Sequence, residues 1–163
     1  MANLIYSEKI KSTKTSSLFV ILAMILFALF GWRYSVVGFR FIPCLYVFLG
    51  LVFCFYVINY RELEISITDQ TLQLKFGVIA WRSNIENIKS IIRYDPPFWI
   101  KYGGAGVHFA MVDGDYKAFY NFLEYPRVMI GFHQKQGWVQ SLVFTTRQPD
   151  KILEILETRS LSA

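Results

Sequence analysis

The chain has 163 residues, of which 54% are hydrophobic and 18% aromatic, and its mean hydropathy of +0.35 is high for a soluble domain. A net charge of +5 and an isoelectric point near 9.2 would suit a nucleic-acid partner, but residues 60–163 hold twelve Lys/Arg against eleven Asp/Glu. The excess therefore belongs to the first 59 residues, a nucleic-acid partner loses its main support, and a membrane portion is the first thing to seek.

Residues 1–15 read as a basic tail carrying Lys9, Lys11 and Lys14. An apolar run over 18–30, extended by Ser16, Ser17, Gly31 and Trp32, predicts a span over about 16–34, and a charge-free run predicts a second over about 41–59. Only "RYSVVGFR" separates the two runs, which suits a transmembrane helical hairpin over 16–59. A cleaved signal peptide would also show a basic start and an apolar core, but no small-residue cleavage site follows, and Trp32-Arg33-Tyr34 is an interfacial ending. A pair of buried core helices is the other alternative. Pro43 falls in the first turn of the second helix, where a missing amide hydrogen costs little.

Lys9, Lys11 and Lys14 before the first span and Arg61 and Lys75 after the second outnumber Arg33 and Arg40 between them. The positive-inside rule then puts both termini and the soluble part in the cytoplasm. Cys44 and Cys54 both lie in the second span, ten positions apart and on different sides of a helix, so they do not pair with each other.

After Tyr60 the texture changes to alternation. "ELEISIT", "TLQLKFGV", "GVIAWRSN" and "KSIIRY" read as half-buried strands, with a hairpin turn at Asp69-Gln70, a bulge or turn at Gly77, and one helical turn in "IENIKSI". Pro96-Pro97 breaks the pattern. "VHFAMV", "RVMIGFH" and "WVQSLVFTT" complete about seven strands, with "KAFYNFL" less clear. Gly131 suggests a bulge, and Lys135-Gln136-Gly137 a turn. Pro149 and Asp150 start a helix over about 149–158, whose stripe of Ile152, Leu153, Ile155 and Leu156 packs on a sheet.

"ISITDQTLQLKFGVIAWRSNIENIKSI", "WIKYGGAGVHFA" and "SLVFTTRQPDKILEIL" resemble the hairpin, the glycine-rich stretch and the ending of the bacterial pleckstrin-homology-like family. The resemblance covers roughly residues 60–158. It implies an α+β chain in which a two-helix transmembrane hairpin leads into a mainly antiparallel β-barrel, residues 60–163, capped by a C-terminal helix. Residues 113–126 depart from the family as a longer, more aromatic segment, read as an extra hairpin or a contact surface.

No constellation for catalysis emerges. Gly106 is followed by Val107-His108-Phe109 rather than Lys-Ser/Thr, and Gly103-Gly104-Ala105-Gly106 opens an alternating strand rather than a helix, so neither a phosphate loop nor a dinucleotide fingerprint is present. Gly103, Gly104 and Gly106 read instead as a turn leading into a strand. His108 and His133 lie in separate predicted strands, and a metal site would need Asp113 and Asp115 to converge on them. No cofactor is expected. What remains is surface: Phe98, Trp99, Lys101 and Tyr102 form an aromatic loop, and Arg82 and Arg93 are cations that could face a membrane or a partner protein. The sequence thus points to a non-catalytic interaction module at a membrane, with two alternatives. One is an accessory subunit of a larger membrane complex, for which Gly50 permits close helix packing; the other is a binder of anionic lipid headgroups.

Overall fold

The structure is a computed structural model that describes residues 3–95 and 104–160. Helix α1 (Thr13–Val37) has 25 residues and α2 (Phe41–Asn59) has 19. At 1.5 Å per residue they are about 37 and 28 Å long, against a bilayer core of about 30 Å. Gly38, at φ +69°, closes α1 by donating its N–H to the Tyr34 carbonyl at 2.9 Å, and only residues 38–40 join the helices. The connection is therefore shorter than the eight residues expected, and Arg33 belongs to α1. Between the helices the close approach is at Gly50, where an added Cβ would lie 2.9 Å from the Phe27 ring.

Within their apolar windows both helices are apolar all round, and buried residues make up only 17% and 11% of those windows. Core helices of a soluble domain would be mostly covered, so these two are long, apolar and bare enough to cross a membrane.

Residues 4–11 are a strand rather than a basic tail. β1 (Leu4–Lys11) buries Tyr6 and Ile10 and pairs antiparallel with β2 (Glu62–Thr68), with Lys11 opposite Glu62 and Lys9 opposite Glu64. A cleaved leader would take β1 with it and leave β2 as a bare edge. β3 (Thr71–Phe76) and β4 (Ile79–Asn84) complete a four-stranded sheet in the order β1-β2-β3-β4. Leu63, Ile65 and Ile67 of β2 and Leu72, Leu74 and Phe76 of β3 alternate inward and are fully buried, each stabilising the fold by about 1.5–3 kcal/mol. The Asp69-Gln70 turn and the turn at Gly77, φ +51°, fall where the sequence put them.

A 3-10 turn (Ile85–Asn87) carries the chain into a second sheet, as "IENIKSI" suggested. Its strands are β5 (Ile88–Tyr94), β6 (Gly106–Val112), β7 (Asp115–Asn121), β8 (Arg127–Gln136) and β9 (Val139–Thr145), in the order β5-β8-β9-β7-β6. All pairs are antiparallel except β7 with β9, which are parallel. Gly131 sits beside register shifts in both of its pairings, the irregularity its position implied. Helix α3 (Pro149–Ser160) buries Ile152 and Leu156 against β5 and β8.

Two corrections follow. The described residues form nine strands, not seven, and the two sheets do not close into a barrel. The uncounted strands are β1, masked by its charges, and β7, whose "KAFYNFL" shows an apolar run without alternation because both its faces are buried. The barrel does not close because neither β4 and β5, joined by the 3-10 turn, nor β1 and β6 pair with each other; the Asn87 side chain of the turn bonds the Gln134 backbone of β8. Residues 113–126 are likewise no appendage. Asp113 and Gly114, at φ +56° and +82°, make a tight hairpin turn into β7, which lies inside the sheet between β9 and β6.

Candidate functional site at the helix–domain junction

Lys11 ends β1 and α1 begins at Thr13; α2 ends at Asn59 and β2 begins at Glu62. Because β1 and β2 are hydrogen-bonded neighbours, the helical hairpin is in effect the connection of a β-hairpin. Both helix ends therefore leave the domain side by side.

An aromatic chain crosses this joint. Phe19 of α1 meets Tyr56 of α2 at 5.5 Å between ring centroids, Tyr56 meets Tyr60 at 5.2 Å, Tyr60 meets Phe76 at 5.3 Å, and Phe76 meets Phe122 at 5.1 Å. Tilted and edge-to-face pairs of this kind are each worth about 0.5–1.5 kcal/mol beyond the area they bury. Asn59, the last residue of α2, donates to the Phe55 carbonyl at 3.0 Å and accepts from the Val78 N–H at 3.1 Å, which fastens the β3–β4 turn to the helix end.

A polar clamp closes the other side. Ser12 caps α1 by accepting from the Thr15 N–H at 3.0 Å and donates its hydroxyl to Glu124 at 2.6 Å. The Tyr125 hydroxyl donates to the Lys11 carbonyl at 2.9 Å, and Arg147 reaches Tyr125 at 3.3 Å. In β1, Glu8 accepts from the Tyr6 hydroxyl, the Thr146 hydroxyl and the Arg147 N–H at 2.8, 2.6 and 2.9 Å. Burial and the Glu8 carboxylate push the Tyr6 phenol above its usual range. Residues 122–126, the end of the 113–126 segment read as an extra hairpin or a contact surface, here contact their own chain, with Glu124 on Ser12, Tyr125 on Lys11 and Phe122 on Phe76.

Charge gathers at this end. Lys9 pairs with Glu64 and Glu62, and Lys11 with Glu62 at 3.2 Å. The hydrogen bond from Lys9 holds the Glu64 carboxyl below its ordinary value. Glu62 and Glu64 are thus structural partners of the basic segment. Two hollows flank the first turns of α1. One, of about 750 Å³, is lined by Lys14, Arg93, Glu124 and Arg127; the other, of about 490 Å³, lies between α1 and Arg61.

The sequence-predicted surface is not gathered into one place. Phe98, Trp99, Lys101, Tyr102 and Gly103 lie outside the described residues. Arg93 is ion-paired with Asp150 at the start of α3, whereas Arg82 bonds Gln73 at 3.1 Å and lines a polar hollow at the end of the domain far from the hairpin. Gly106, at φ +89°, opens β6 as expected, and an added Cβ there would lie 2.8 Å from the Tyr60 ring; Gly104 packs beside His108.

His108 stacks on Phe119 at 4.9 Å, its pKa lowered by burial and by nearby Arg127. His133 is on β8, three strands away, and Asp113 lies in the β6–β7 turn with Asp115 at the start of β7, so these four do not share a pocket. No group of three or more metal-ligating side chains occurs among the described residues. The residues that sequence reasoning passed over are Glu8, Ser12 and Tyr125; Tyr60, which the sequence offers as an aromatic at the end of the second span, instead packs between Tyr56 and Phe76. Of those passed over, only Ser12, immediately before a helical pattern, carried a recognisable cap signal. The comparisons add no relative: no family model, no curated protein and no solved structure matches this chain.

Proposed function

We propose that the chain is a non-catalytic, membrane-anchored interaction module. Its helical hairpin crosses the cytoplasmic membrane, and its α+β domain stands at the cytoplasmic face to bind another membrane protein or complex. The observation that carries the reading is the splicing of two bare apolar helices into the β1–β2 pair, reinforced by the aromatic chain through Tyr60. A flexible tether would let the domain roam; this joint sets its attitude to the membrane. Lys9, Lys11, Lys14, Arg61 and Lys75 at the domain end against Arg33 and Arg40 support the cytoplasmic side. The pleckstrin-homology-like part of the proposal rests on the motif residues alone. The accessory-subunit alternative loses one support, since Gly50 is occupied by the hairpin's own Phe27.

The test uses the full chain with Cys44 and Cys54 changed to Ala. Phe39→Cys, 79% exposed between the helices, should react with an impermeant thiol reagent from outside the cell, and Trp138→Cys, 83% exposed in the β8–β9 turn, only after the membrane is opened. Labelling of both from the same side, or release by alkaline carbonate, would overturn the anchoring. Crosslinking in native membranes followed by mass spectrometry then identifies the partner, and recovery of the chain alone would overturn the interaction role.

A further inference from the structure

The groove of about 490 Å³ between α1 and Arg61 changes character along its length. Thr13, Ser17, Val20 and Ile21 line it at helical spacing, so one stripe of α1 passes from hydroxyls to branched apolar side chains over about 12 Å. Val20 and Ile21 are 40% and 50% exposed. Arg61 and Lys11 stand at the hydroxyl end. Lys9 and Lys11 are matched by Glu62 and Glu64, whereas Arg61 is exposed and makes no ion pair among the described residues, so the end holds one surplus positive charge, that of Arg61. The Ser12 and Ser16 hydroxyls are already committed, to Glu124 and to the Ser12 carbonyl, which leaves Thr13 and Ser17 as the groove's remaining donors from α1.

We propose that this groove binds one anionic phospholipid, its phosphate beside Arg61, Lys11 and the Thr13 and Ser17 hydroxyls, and the start of an acyl chain along Val20 and Ile21. A free phosphate would leave the apolar half unused, and a wholly apolar ligand would strand the cations. The volume falls within the range of ligand clefts, about 300–1,000 Å³. The site has a defined direction, with its charged end towards the domain and its apolar end down the helix. The groove therefore matches the way a lipid stands in a leaflet. The inference rests on the hairpin spanning a membrane, as proposed above.

The experiment is thermal unfolding of the full chain in nanodiscs of phosphatidylcholine alone or with one-fifth phosphatidylglycerol. Anionic lipid should raise the Tm by roughly 2–4 °C. Arg61→Gln should lose at least half of that rise while Lys135→Gln, on the far end of β8, keeps it. In detergent, dihexanoyl-phosphatidylglycerol should reproduce the protection, whereas inorganic phosphate should not. Equal protection by inorganic phosphate, or an Arg61→Gln variant as responsive as the parent, overturns the lipid site. So does a chain that stays carbonate-resistant yet ignores lipid charge, which leaves the anchor standing. Release by carbonate overturns both.

Discussion

Replacing Gly106 by Ala tests the joint between hairpin and domain directly. The backbone there is at φ +89°, and moving an L-residue into that region costs about 1–2 kcal/mol. A methyl group would also sit 2.8–2.9 Å from three carbons of the Tyr60 ring, well inside ordinary contact. Tyr60 is only 5% exposed and is held by Tyr56 at 5.2 Å, Phe76 at 5.3 Å and Phe19 at 6.4 Å, so it has no free direction in which to yield. Overpacking of that kind adds about 1–3 kcal/mol. The sum of about 2–5 kcal/mol should lower the Tm of the full chain in mild detergent by roughly 5–15 °C, followed by near-ultraviolet circular dichroism. Gly114→Ala is the control. At φ +82° it has nothing within 4 Å, so it should incur the backbone cost alone. In a double variant with Tyr60→Leu, the Gly106→Ala loss should shrink towards the control value. Equal shifts for Gly106→Ala and Gly114→Ala would refute the close packing of the aromatic chain.

Glu8→Gln should cost about 1.5–3 kcal/mol, because one carboxylate serves three donors and an amide would turn a donor towards one of them; an unchanged unfolding midpoint would show the clamp to be dispensable. Ser12→Ala should cost about 1 kcal/mol and speed amide exchange in the first turn of α1; unchanged exchange at Thr15 would contradict the cap. For His108 the folded-state pKa lies below its ordinary value of 6.5. The folded state therefore resists taking up a proton that the unfolded chain binds readily, and stability should fall as the pH drops below about 6.5. His108→Gln should flatten the part of the loss between pH 7 and pH 5 that the imidazole contributes; identical pH profiles for parent and variant would show that the ring is free to charge.

What the sequence disclosed followed from how local each signal is. The two helices, the turn at Gly77, the 3-10 turn and α3 announce themselves through runs, caps and spacing within a dozen residues, and they lie where they were read. β1 did not, because Leu4-Ile5-Tyr6 blurs its alternation and its lysines resemble a membrane-flanking tail; only its pairing with β2, some fifty residues away, makes it a strand. β7 failed for the opposite reason. Ala118, Phe119, Tyr120, Asn121 and Phe122 are all buried, so the period of two that marks a half-exposed strand is absent. The junction was the least legible part. Glu8 with Thr146, Ser12 with Glu124 and Tyr125 with Lys11 are contacts between residues more than a hundred positions apart, and no local pattern encodes them.

The spliced hairpin also constrains how the domain can use its open edges. β6, an edge strand among the described residues, runs away from the hairpin end, and Phe109 and Met111 along it are 50% and 72% exposed. Edge strands of two copies commonly pair antiparallel about a two-fold axis perpendicular to the sheet. Such pairing would set the two hairpin ends at opposite ends of the joined sheet, so the two hairpins would point in opposite directions. Two chains anchored in one leaflet cannot both satisfy that geometry. For a membrane-anchored chain the β6 edge is thus closed to symmetric self-pairing. Trp138 follows the ten-residue β8, roughly 30 Å from that strand's hairpin-side end, so in the membrane-anchored arrangement proposed above a contact at Trp138 would be made in the aqueous phase.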